Sequence, residues 1–301
     1  MDFKKFLGDE APDLEPKRIA FILAPLAKTL SWEGGTDKGP EAIIAASPAL
    51  EVFDDELLFA TCEKIGITTL PPLDFSNLDP TGSCELICRK VREVLADDML
   101  PILLGGEHTV TLPGVAACLS KYPDLHVLQF DAHLDLRISY GGTELSHACV
   151  MRRLHDLGVP FTQVGIRSFS QEEWEFVREH QLRPFHSRYI RNDQKWAEKV
   201  CASITGPVYI TFDVDALDPS VMPATGTPEP DGLSWHEATR ILRLVAENHQ
   251  VVGMDFTEFA PTAGAHHAAF TVAKLIYRML GYIHSASDRS IADPFLKGGL
   301  Y

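Results

Sequence analysis

Six short apolar runs recur along the chain, each separated from the next by a segment of helical character. They are "RIAFILAP" (18–25), "MLPILLGG" (99–106), "LHVLQFDAH" (125–133), "FTQVGIRS" (161–168), "PVYITFDVD" (207–215) and "VVGMDFTEF" (251–259). Strands with one face in water alternate apolar and polar residues, whereas these runs are apolar along most of their length, as strands buried on both faces are. Between them lie "PEAIIAASPAL", "CELICRKVREVLADD", "LPGVAACLSKY", "EEWEFVREHQL" and "HEATRILRLVAENHQ", which read as helices. The last starts at a capping box, Ser234 with Glu237 three positions on. Strand–helix–strand order repeated in this way predicts an α/β fold, a three-layer α/β/α sandwich around a central, mostly parallel sheet. No repeat, low-complexity tract or Ser/Gly linker breaks the 301 residues, so one domain over 1–301 is expected, with the Pro-rich stretch at 222–232 as a long ordered loop.

Four of the runs end in ionisable residues: Glu107 and His108; Asp131, His133 and Asp135; Asp213 and Asp215; Asp255 and Glu258. Open parallel sheets bind ligands outside the carboxyl ends of their strands, so these ends are expected to converge. On an extended backbone, Asp131, His133 and Asp135 would project to one side, as would Asp213 with Asp215. Uncompensated charge is expensive at the end of a buried strand. Clustered carboxylates also repel one another unless a positive charge sits among them, and a metal supplies it. An oxygen-rich set with a minority of imidazole and no Cys suits manganese or magnesium better than zinc. Four Asp plus His108 and His133 are too many ligands for one open catalytic ion and a comfortable number for two that share carboxylates.

Each feature also has a structural reading taken alone. "GGEH" can be a Gly turn, "DVDALDP" an Asp-rich turn before Pro219, and His147 and Glu258 surface residues. Their coincidence at strand ends is what argues for chemistry. His126, inside a strand and out of step with the acids, and His266 with His267 at the start of an apolar helix read as structural, and Arg152 and Arg153 as a solvated or subunit-facing helix surface.

A formal net charge of −15 without a basic cluster excludes the electrostatic footprint of a nucleic-acid binder. No apolar stretch reaches the roughly 20 residues of a membrane span, and the start lacks a signal peptide's hydrophobic segment, so a cytoplasmic protein is expected. The cysteines at 62, 84, 88, 118, 149 and 201 form no C-x-x-C pair and read as reduced core residues.

Read in order, "GGEH", "DAHLD", "SHACVMRR", "DVDALDPSVMPATGTPEPDGLS" and D-x-x-E-x-x-P at 255–261 resemble the ureohydrolase family of arginases and agmatinases over almost the whole chain. The resemblance implies an arginase-like sandwich, a centre of two Mn2+ (Co2+ or Ni2+ being alternatives) and hydrolysis of a guanidino group to urea and an amine by a hydroxide bridging the two ions. By motif, His108, Asp131, Asp135 and Asp213 hold one ion and Asp131, His133, Asp213 and Asp215 the other, with Asp131 and Asp213 bridging. Glu258 matches the acid that pairs with the guanidinium, and His147 the loop histidine that passes a proton to the leaving amine; Asp135 is also placed to accept a bond from the reacting nitrogen. Family members assemble as trimers or hexamers, so a homo-oligomer is expected.

Arginases carry an Asn two residues before the loop histidine, where this chain has Leu145. A substrate without a carboxylate fits better, and the wording resembles prokaryotic agmatinases. The expected reaction is therefore agmatine to putrescine and urea, a polyamine-forming step. Aminopropylagmatine, guanidinobutyrate and arginine stand as alternative substrates. A formiminoglutamate-specific relative would want basic residues, a related deacetylase would use one zinc, and a catalytically silent metal-binding relative is the alternative from another class.

Overall fold

The computed structural model describes residues 3–29 and 34–288 of the chain. Eight strands run β1 Lys17–Ala24, β2 Gly66–Thr69, β3 Leu100–Gly105, β4 His126–Phe130, β5 Phe161–Ile166, β6 Phe185–His186, β7 Val208–Asp213 and β8 Val251–Thr257. All pair in parallel in one sheet of order β2-β1-β3-β8-β7-β4-β5-β6. The helices are α1 Gly39–Ala46, α2 Pro80–Ala96, α3 Thr111–Leu119, α4 Val150–Asp156, α5 Gln171–Glu179, α6 Ser187–Asn192, α7 Trp196–Ser203, α8 Trp235–Asn248 and α9 His266–Ser287.

The pleat divides each central strand between two cores. Phe21, Leu104, Phe130, Phe212 and Phe256 point to one face, where α1, α7, α8 and α9 cover them. Their neighbours Ile22, Leu103, Val127 and Tyr209 point to the other, against α2, α3, α4 and α5. Burial on both faces is what made these strands continuously apolar in sequence, and the result is the expected α/β/α sandwich. β2 and β6 escaped the sequence reading because they are short edge strands, of four and two residues, with little apolar content.

Both faces of the sequence-level capping argument hold for α8: the Ser234 hydroxyl accepts from the Glu237 N–H at 3.2 Å and Glu237 accepts in return from the Ser234 N–H at 2.8 Å. A second box, Ser170 with Glu173, starts α5. Four cysteines are buried, Cys84 and Cys88 are half-buried on α2, and all six are free. The 222–232 segment is an ordered loop, bridged to Phe259 through Thr225 and held by Arg167, which donates to the carbonyls of Glu229, Pro230 and Asp215. Arg152 and Arg153 make contacts within the chain. Arg152 stacks over Phe176 at 4.1 Å, and Arg153 pairs with Glu144 and Asp156 at 2.6 and 2.9 Å, so both are partly buried struts within the chain. No helix among the described residues is long and apolar enough to cross a membrane.

Candidate metal centre

Strands β3, β8, β7 and β4 are neighbours at the middle of the sheet. The residues that follow their carboxyl ends meet in one cavity of about 360 Å³. The turn after β3 is possible because of Gly106: a Cβ there would lie 2.0 Å from the Leu26 carbonyl oxygen. With no side chain, Gly106 donates to Ala24 and accepts from Glu258, so the segments after β1, β3 and β8 leave the sheet locked together.

The projection of Asp131, His133 and Asp135 from a common strand face is not how they converge. β4 ends at Phe130, and the three residues lie beyond it in a loop where Asp135 adopts φ 53°. Likewise Asp213 closes β7 while Asp215 sits in a 3-10 turn. Asp135 and Glu258 (φ 60°) are both left-handed non-glycine residues, a strain that persists only where the surroundings impose it.

Backbone amides fix one oxygen of most of these carboxylates. Asp131 accepts from His133 N at 2.6 Å, Asp213 from Asp215 N at 2.9 Å, Asp215 from Ala132 N at 3.0 Å and Glu258 from His108 N at 2.6 Å. The carboxylates crowd around two imidazoles. His108 Nδ1 lies 3.1 Å from Asp131, 2.9 Å from Asp135 and 3.5 Å from Asp213, while His133 Nδ1 lies 3.1 Å from Asp215 and 3.5 Å from Asp131. His108, Asp131 and Asp213 form one group able to hold an ion, and Asp131, His133 and Asp215 another, with Asp131 shared.

A cation suits this arrangement better than a network of protons. On the far side of its ring, His108 Nε2 is 2.7 Å from the Thr211 hydroxyl, so Nδ1 faces three carboxylate oxygens and makes no hydrogen bond, although fully buried. The protonation behaviour says the same. Burial pulls His108 down, but Asp131 and Asp135 override it and hold the imidazole well above its ordinary value. Burial and the Asp131 charge push Asp135 up to about 7, and burial with Asp215 and Asp131 pushes Asp213 well up. Burial also raises Glu258 to about 8. Asp131 alone is held down, its burial being overridden by His108 and His133; a site that draws protons onto Asp135, Asp213, Glu258 and its imidazoles together is short of positive charge.

Six expected ligands therefore come together, with Glu258 beside them. Two other strand-end acids do not join. Glu107 points its carboxylate at the Lys28 and Thr29 amides, and Asp255 lies behind the cluster, accepting from Tyr209 at 2.8 Å. His147 lines the cavity, where burial, followed by the His108 charge, holds it down at about 4. Leu145 is half-buried and does not line the wall, which is completed instead by Thr29, Arg137, Tyr140, Phe169 and Glu229. Glu229 lies within the 213–234 stretch that carries the resemblance, whereas Thr29, Arg137, Tyr140 and Phe169 carried no motif, and only their positions just beyond β1, β4 and β5 could have signalled them.

The Arginase family model matches residues 17–281. The chain is 36% identical over 287 residues to an N(1)-aminopropylagmatine ureohydrolase of Synechocystis sp., covering 93% of this chain and 94% of that one. To an agmatinase of Pyrococcus horikoshii it is 32% identical over 280 residues, covering 90% and 95%. The solved agmatine ureohydrolase of Thermoplasma volcanium superposes with a TM-score of 0.85 at 30% identity, covering 95% of this chain and 96% of that one. With the motif residues gathered at one end of an all-parallel sheet, the chain belongs to the arginase family, and is a ureohydrolase, an enzyme that cleaves C–N bonds of linear amidines.

Proposed function

We propose that the protein hydrolyses the guanidino group of agmatine or of an N-substituted agmatine, releasing urea and the corresponding amine, which for agmatine is putrescine. The observation that carries this is the shared aspartate cluster with its orphaned His108 Nδ1, set directly beside the Glu258 carboxylate. His108, Asp131, Asp135 and Asp213 would hold one divalent ion and Asp131, His133, Asp213 and Asp215 a second, manganese being the metal best suited to so many oxygen donors. Such a pair, when bound, supplies a water of lowered pKa and positive charge for a developing tetrahedral carbon.

The chain's own groups do the rest. Glu258 takes the guanidinium through charge-assisted bonds, and because one of its oxygens is anchored on the His108 amide it presents the other in a fixed direction. Burial raises its proton affinity, and a cation beside it favours the ionised form. Asp135 accepts from the reacting nitrogen. His147, neutral near pH 7, picks up a proton and delivers it to the departing amine.

The extended substrate is favoured by a specific observation besides the Synechocystis relative's name. Phe169, which lines the cavity, stacks on Trp174 with centroids 5.8 Å apart, both remaining about 40% exposed (39% and 40%), and Glu229 lines the same cavity with no cation bonded to its carboxylate among the described residues. An aromatic face and an unpaired carboxylate suit a tail that carries ammonium groups. Urea release with added manganese tests the proposal. Agmatine or its aminopropyl derivative should be turned over and arginine should not, whereas arginine turned over fastest would refute it.

A further inference from the structure

Gln129 of β4 and Gln163 of β5 are partners in the sheet register, and both are buried away from the cavity wall. A buried side-chain amide is costly unless its polar atoms are bonded. Gln129 Nε2 donates to Asp131 Oδ2 at 2.7 Å, while Gln163 Nε2 donates to Gln129 Oε1 at 2.6 Å and to the Leu134 carbonyl at 2.8 Å.

The two ends of this chain of bonds fix which way each amide faces. A backbone carbonyl and a carboxylate only accept, so Gln163 turns its nitrogen to Leu134 and Gln129 turns its nitrogen to Asp131. Turning either amide over would set oxygen against oxygen. Gln163 Oε1 is buried without a hydrogen-bond partner among the described residues, so the donor side alone orients that amide.

Asp131 is thereby held at both oxygens, Oδ2 by Gln129 and Oδ1 by the His133 amide at 2.6 Å. The same two oxygens face different imidazoles, Oδ2 lying 3.1 Å from His108 Nδ1 and Oδ1 3.5 Å from His133 Nδ1. Two fixed points set the plane of a carboxylate. We propose that Gln163 and Gln129 form a positioning relay that locks the Asp131 carboxylate in the plane from which it serves two divalent ions, and that the Leu134 bond seats the loop of His133 and Asp135 along with it. Both donors at Asp131 are neutral, so they hold the acid without cancelling the charge that the ions need; a lysine at position 129 would compete with them. The inference rests on the two-ion reading above.

Manganese-loaded full-length chain titrated with a chromogenic chelator tests it. Gln129→Met keeps the length of the side chain and removes the bond, and should weaken the binding of both ions about 10–100-fold. Gln163→Met should weaken both by less, and should lose less again in a Gln129→Met background, because part of its effect runs through Gln129. A pair that only fills the core would lower the chemical-denaturation midpoint and leave manganese affinity where it was, which would overturn the proposal. Weakening of one ion alone, or full additivity in the double variant, would overturn it too. If Gln129→Met does not fold, Gln163→Met decides, unchanged affinity again being the contrary result. A parent chain that binds fewer than two manganese ions would remove the two-ion reading itself, and this inference with it.

Discussion

The Thr211 hydroxyl holds His108 from behind, 2.7 Å from Nε2, while Nδ1 on the opposite side of the ring faces the Asp135 carboxylate at 2.9 Å. Thr211 also contacts Thr111 at 3.0 Å, so the imidazole is oriented by a buried hydroxyl pair. Partners of this kind set the tautomer of a ligand and are worth roughly 10–100-fold in metal affinity. Thr211→Val, which keeps shape and removes the bond, should therefore weaken manganese binding by at least about tenfold. Competition against a chromogenic chelator measures it; unchanged affinity would show that Thr211 only fills space.

Asp131 belongs to both candidate ion groups and Asp215 to one. Asp131→Ala should accordingly lose both ions and all urea release, whereas Asp215→Asn should retain about one ion per chain. Elemental analysis after dialysis gives the ratio. Equal metal content in the two variants would contradict the sharing.

Glu258→Gln keeps an acceptor for the His108 amide and so should fold normally, but it removes the charge that meets the guanidinium. A charge-assisted bond is worth about 1.5–3 kcal/mol, so kcat/KM should fall roughly 10–100-fold without loss of metal. Steady-state urea release resolves this. A change in bound manganese instead would make Glu258 a ligand.

His126 offers a test of the scaffold apart from the site. It is buried at the start of β4, with Nε2 3.0 Å from the Thr162 hydroxyl, and burial, then the neighbouring His249 charge, depresses it to about 4. Above pH 6.5 the imidazole is neutral both folded and unfolded and contributes nothing. As pH falls from about 6.5 towards 4 the unfolded chain gains a proton that the folded one refuses, so stability is lost in that window. Between pH 7.5 and 5 this loss is about 2 kcal/mol. His126→Gln should flatten the pH dependence of chemical denaturation by that amount. An unchanged slope would mean that His126 protonates inside the fold.

The sequence was most legible where burial is two-sided. β1, β3, β4, β5, β7 and β8 announced themselves through continuous apolar runs, and their acidic ends located the cluster. The short edge strands β2 and β6 carry too little buried surface to leave a pattern. Periodicity also pointed to acids that do cluster, though for an incomplete reason, since the loop after Phe130, with Asp135 left-handed, does the converging and no strand alternation extends that far. Thr211 is a single hydroxyl whose importance lies in what the folded sheet brings to it, and nothing in its local sequence distinguishes it. Arg152 and Arg153 read in sequence as a solvated or subunit-facing surface, and their partners Phe176 and Glu144 could not be read there because the fold brings them beside the two arginines.

Anomalous diffraction at the manganese edge from crystals grown with the metal addresses the central claim most directly. The account predicts two peaks about 3.5–4 Å apart, one against His108 Nδ1 and one against His133 Nδ1, with Asp131 touching both. A single peak, or peaks remote from these side chains, would contradict it.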